Sequence, residues 1–204
     1  MYKRQEIIRF GADESHIKMM VRRDGIPYRI DMHLKKNKAK GVAVNGVPIK
    51  KASELFGIVN VIFFSPEDLN IIKNGPAERR RFVDLELCQL NKLYVYNLAQ
   101  YNKTVKQRNK LLKDIDHNAS LKETLPMWNE QLLKYGTELI IMRSEFIKEL
   151  NPLIAEIHAG LSGGKETLSI AYEPNVSPEN FREQLAKNQF QEIRQRQTLT
   201  GPHR

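Results

Sequence analysis

Nine side chains, Trp128, Leu132, Tyr135, Leu139, Met142, Phe146, Leu150, Leu153 and Ile157, follow one another at steps of 4-3-4-3-4-4-3-4. This near-heptad rhythm draws one apolar stripe along a helix and predicts a single element from about Met127 to His158. Pro152 removes one backbone donor and predicts a kink over 148–152. The stretch "GLSGG" that follows is expected to cap the end. A helix so long and narrow in pattern is expected to project as an arm from a β-containing base.

The base is legible upstream. Residues 15–45 read as a β-meander, with hairpin turns at Asp24-Gly25 and Asn45-Gly46 between β-prone stretches. The run "GIVNVIFF", 57–64, fits a buried strand. At Ser65-Pro66-Glu67-Asp68 the pattern changes to a helix start: a capping serine, proline at the first position and carboxylates in the first turn. Further helices are predicted from Pro76 to about Leu90 and over 92–115. Beyond the long helix, "ETLSIAYEP" reads as a strand, "SPENFREQLAKNQFQEIRQ" as a helix and "TLTGPHR" as a strand. The fold class is therefore α+β, in three segments: 1–65 mainly β, 66–165 helical, and 166–204 strand-helix-strand.

The 204 residues carry a formal charge of +9, which favours an anionic partner. Most of the surplus falls on residues 1–65, with 13 Lys and Arg against six Asp and Glu. Cys88 is the single cysteine, so no intrachain disulfide is possible; it reads as a small buried hydrophobe in a reducing compartment. No secretory signal follows the N-terminus, and the apolar runs are too short to span a bilayer, so a cytoplasmic protein is expected.

Few motifs carry chemistry. "AGLSGGKE", 159–166, has alanine where a phosphate-binding loop needs its first glycine and Glu166 where it needs a hydroxyl. It also follows a helix rather than a strand, and reads as a helix C-cap. The five histidines show no metal-ligand spacing, and no catalytic grouping is visible. Basic residues are more informative. Lys103, Lys106, Lys110 and Lys113 step 3-4-3 along one helical face, either as a solvated surface or as a row contacting phosphates. Arg22 and Arg23 precede one turn; Lys35, Lys36, Lys38 and Lys40 crowd the next without a carboxylate among them, either as edge protection or as an anion site. Arg79, Arg80 and Arg81 stand early in a helix, where its dipole disfavours cations. One of them is expected to pair with Asp84, three or four residues on. The rest are expected to meet an anion or a partner's carboxylate.

The stretch "FFSPEDLNIIKNGPAERRRFVDLEL" resembles the signature region of the RecF family of bacterial recombination-repair proteins. The matching positions are Pro66-Glu67, Ile71-Ile72, Gly75-Pro76, Arg79-Arg80 and Phe82-Val83-Asp84; Asn74 stands where the family usually has glycine. "IRFGADE", "VRRDG", "VNGV", "KQRNKLLK", "IHAGLSGGKETL" and "TGPHR" agree in order, so the likeness spans nearly the whole chain. It implies an ABC-type ATPase related to the heads of SMC proteins, with residues 1–65 as part of lobe I, 66–165 as the lobe II arm, and 166–204 returning towards the head. The family's Walker A, signature and Walker B patterns are missing here. The resemblance thus implies an internal piece without catalysis or cofactor of its own, while the full-length parent would use ATP and Mg²⁺. It further implies DNA binding at single-strand/double-strand gaps, work with RecR and RecO towards RecA loading, and a possible homodimer. Pro66, Glu67 and Asp68 lie where such heads place a nucleotide-coupling loop. The alternative is a docking or dimerisation scaffold, for RecR or a second protomer, with no DNA contact of its own.

Overall fold

Four antiparallel strands form one sheet in the order β1-β2-β3-β4: β1 Glu14–Arg23, β2 Ile26–Lys35, β3 Gly41–Val44 and β4 Val47–Pro48. A computed structural model of the chain describes residues 7–204; the first six residues of the segment expected to begin the β-region lie outside them. Both turns are built as the sequence predicts. Asp24 and Gly25 have φ of 50° and 79°, Asn45 and Gly46 of 52° and 83°, the left-handed pairs that match the twist of the strands they join. Asn45 adds a tie: its Oδ1 accepts from the Arg29 amide at 2.7 Å.

The tight first turn sets the register. Met19 faces Ile30, and Ile17 faces Met32. Side chains alternate across a strand, so Ile17, Met19, Ile30, Met32 and Leu34 share one face. Glu14, His16, Lys18, Asp31, His33 and Lys35 share the other. Ile30, Leu34 and Val42 are the buried members of the apolar face.

The chain divides into two compact units: one reaching Phe64 and including Gln89–Lys92, the other Ser65–Cys88 with Leu93–Arg204. The second unit is helical. A 3-10 turn at Pro66–Leu69 runs into the single-turn α1, Asn70–Lys73. Then come α2 Pro76–Leu90, α3 Lys92–Asp114, α4 Leu125–Ser162 and α5 Phe181–Gln195. The predicted long helix is thus present and extends beyond its expected ends. It continues through Pro152 and stops at Gly163, whose φ of 62° makes the left-handed cap. Leu132, Leu139 and Ile140 form its buried stripe. Gly136 completes that stripe: a Cβ there would come within 2.6 Å of Phe181 and 2.9 Å of Tyr101. No helix among the described residues is long and apolar enough to cross a membrane.

Three predicted strands are not formed. Residues 57–64 lie outside any ladder, and Ile62 is 98% exposed. Residues 166–174 and 198–204 likewise carry no strand. A β-prone run becomes a strand only when a neighbour supplies the ladder, and no other strand among the described residues lies beside these. At 198–204 the backbone is bonded by side chains instead. Glu192 accepts from the Leu199 and Thr200 amides, Asn109 from Thr198, and Asn175 from Gly201.

Candidate nucleic-acid interface

The base of any surface on the helical unit is set by two buried arginines. Arg108 on α3 is fully buried. It donates to Glu192 of α5 at 2.6 Å, to Thr198 at 2.9 Å and to Asn129 of α4 at 3.0 Å. Arg143 on α4 donates to Asp84 of α2 at 2.8 and 3.0 Å, to the Pro202 carbonyl at 2.7 Å and to the Tyr94 hydroxyl at 2.9 Å. Tyr94 in turn donates to Asp84. A buried guanidinium is tolerable only when acceptors surround it, and here each of the three nitrogens of both arginines makes at least one hydrogen bond. Both knots fix α3, α4 and the C-terminal segment together, and so hold the outer face of α3 rigid.

On that outer face stand Lys103, Lys106, Lys110 and Lys113, all exposed. They border one shallow groove with Asn102, Val105, Gln107 and Asn109. None of the four has an ion-pair partner among the described residues. The inward side of α3 carries Tyr101, Thr104, Arg108 and Leu112, all buried. The cationic and the packed faces of α3 are therefore opposite one another, with Val105 at the edge of the lysine groove.

The arginine cluster resolves differently from expectation. Asp84 pairs with Arg143 across the unit rather than with Arg80 or Arg81 in its own helix. The reason is burial. A surface pair at i,i+3 or i,i+4 gains a few tenths of a kcal/mol, whereas leaving Arg143 unpaired in the interior costs several. Arg79 turns back and donates to the Ile71 and Asn74 carbonyls at 3.3 and 3.0 Å. Arg81 pairs with Glu78 at 3.9 Å. Arg79 and Arg80 form part of the wall of a cavity of about 490 Å³ with Phe82, Val83, Ile147 and Arg204.

Around Pro66, Glu67 and Asp68 the side chains serve the local turn. The Ser65 amide donates to Asp68 Oδ2 at 2.6 Å. The Glu67 carboxyl is held below the usual range by a backbone amide and by Ser65. In the β-unit, Arg23 pairs weakly with Asp24 at 3.7 Å, while Arg22 is exposed. The lysine-rich turn is less unbalanced than its sequence. Lys35 reaches Glu14 and Lys36 reaches Asp13, each at 3.4 Å, from across the hairpin. Lys38 and Lys40 are exposed. Cys88 is buried, and burial pushes its thiol up to about 11.

Histidines required the fold to be placed. His16 and His33 face each other across the first hairpin with rings stacked at 4.1 Å. The signal was present in the chain, since both stand eight residues from the Asp24-Gly25 turn, His16 before Asp24 and His33 after Gly25.

No family model matches the chain. Individual proteins do. "DNA replication and repair protein RecF" of Agathobacter rectalis is 58% identical over 202 residues, 99% of this chain and 56% of that protein. The protein of the same description from Clostridium tetani is 36% identical over 211 residues, 99% of this chain and 57% of that one. Among solved structures, the recombination mediator protein RecF-ATPrS of the RecFOR pathway superposes with a TM-score of 0.85 at 30% identity. That match covers 100% of this chain and 57% of the other. The corresponding RecF-ATP structure gives 0.82 at 29% identity. The chain therefore spans little more than half the length of the relatives it matches. Identity at this level along nearly its whole length, together with the same fold, places the chain in the RecF family, as a part of that protein.

Proposed function

We propose that this chain supplies a DNA-backbone-binding surface of a RecF-type repair ATPase acting at single-strand/double-strand gaps. In this reading the whole protein uses ATP and Mg²⁺, pairs as a homodimer, and works with RecR and RecO towards RecA loading in the cytoplasm. Segment 1–65 is assigned to lobe I of the head, 66–165 to the lobe II arm and 166–204 to the return towards the head. The observation that carries the DNA role is the row of Lys103, Lys106, Lys110 and Lys113 on α3, exposed and without ion-pair partners among the described residues. Four like charges on one face repel one another, and a polyphosphate relieves that repulsion while releasing its own counterions. Lysines without a base-reading element give affinity without sequence preference.

The test is anisotropy of labelled duplex and gapped DNA with the 204-residue chain across a salt series. Four phosphate contacts give log K against log salt a slope of about −3.6. Glutamine at all four lysines should remove most of that slope. An unchanged slope overturns the assignment to α3 and moves binding to Lys35, Lys36, Lys38 and Lys40. A second reading, docking of RecR or another protomer, is favoured by one feature. Leu153, Ile157 and Leu161 form an exposed apolar row at the end of α4. Serine at these three positions should abolish partner capture, and leave the DNA slope unchanged.

A further inference from the structure

We propose that Glu14, His16 and His33 form a binding site for a divalent transition-metal ion of the zinc class on the polar face of the β1–β2 hairpin. The three residues lie on one face because of the register: His16 pairs directly with His33, and Glu14 is two residues before His16. One ligand atom from each can be chosen so that all lie within 4.8 Å of one another. Two contacts are already made. The imidazoles are stacked at 4.1 Å with 12° between planes, and His33 Nε2 lies 3.1 Å from Glu14 Oε2. Zinc–nitrogen bonds of about 2.0–2.1 Å at a tetrahedral angle require ligand atoms about 3.3 Å apart. Reaching that spacing requires the stacked rings to turn out of parallel so that both in-plane lone pairs converge on one point, a movement for the side chains of Glu14, His16 and the half-buried His33 while the ladder holds the strands.

The donor set is that of a three-ligand zinc site, two imidazoles and a carboxylate, which leaves a fourth position for water. Lys35, 3.4 Å from Glu14, is the competing cation. An ion bound here would clip β1 to β2 at the end of the hairpin remote from its turn.

The probe is zinc chloride titrated into the intact, chelator-stripped chain by calorimetry, with imidazole ¹⁵N spectra recorded in parallel. The expected result is one ion per chain, with the His16 and His33 nitrogens shifting and those of His117, His158 and His203 unmoved. His16→Gln and His33→Gln should each weaken uptake by about tenfold or more, and Lys35→Met should strengthen it by removing the competing charge. No saturable uptake overturns the site, as do uptake unaltered by both glutamine variants or shifts confined to other histidines. The spectra of the unmutated chain decide the matter even if a variant folds poorly.

Discussion

Replacing Asp84 by alanine tests where its charge is used. The carboxylate is 21% exposed, but its partner Arg143 is 4% exposed and Tyr94 is fully buried. Alanine would strand a guanidinium whose Nε and Nη2 both donate to Asp84, leaving Arg143 only the Pro202 carbonyl and the Tyr94 hydroxyl. Breaking a buried pair from one side costs about 3–5 kcal/mol, and the residual exposure of Asp84 places this case near ~3 kcal/mol. Asp84→Asn keeps an acceptor and loses only the charge, so about 1–2 kcal/mol is expected. Arg80→Ala and Arg81→Ala should each change stability by less than about 0.5 kcal/mol. The assay is urea unfolding followed by fluorescence of Trp128, the single tryptophan, which belongs to the same unit. Adding Arg143→Met to Asp84→Ala should recover about 2 kcal/mol relative to additivity. If Asp84→Ala costs under about 1 kcal/mol while Arg80→Ala or Arg81→Ala matches it, the pair is intrahelical and the assignment fails.

Other perturbations report on the same unit. Glu192→Ala removes the fully buried partner of Arg108 and the acceptor for two amides, and should cost about 3–5 kcal/mol in the urea midpoint. Gly136→Ala drives a methyl against Phe181 and Tyr101, both buried, and should cost about 1–3 kcal/mol by thermal unfolding; a smaller loss would mean the helices separate freely. His203 donates from Nε2 to the Thr198 carbonyl and accepts from Tyr101 at Nδ1, and burial lowers it to about 4 from 6.5. The unfolded chain then binds a proton that the fold refuses, so stability is full above about pH 6.5 and falls by ~3 kcal/mol as pH drops towards 4. His203→Gln should flatten that pH profile.

Local chemistry made much of the fold readable. Asp-Gly and Asn-Gly define two turns without help from the rest of the chain, and the stripe from Trp128 to Ile157 defines α4. The errors share a cause in distance. Whether residues 57–64, 166–174 and 198–204 become strands depends on a neighbour that no local pattern reveals. The partner of Asp84 lies 59 residues away on another helix. The lysine row on α3 was visible because a helix face is fixed by periodicity alone. The His16–His33 pairing needed one further step, counting outward from a turn already identified.

The placement of arginines separates support from function. Arg108 and Arg143 spend their donors inside the helical unit, so neither can also meet DNA. Arg79 opposes the dipole of α2, yet it serves the carbonyl end of α1 just before it, where a cation is favoured. Arg81 has Glu78 beside it. Arg80 alone of the three has no ion pair or hydrogen bond among the described residues, and it borders the cavity shared with Arg204. We propose that Arg80, half-buried and without a bond inside the unit to hold it, meets an anion or a partner. Arg80→Ala should therefore leave the urea midpoint unchanged and weaken DNA or partner binding, whereas Arg79→Ala should loosen the α1–α2 turn. Equal loss of stability from both would make Arg80 a strut like its neighbour.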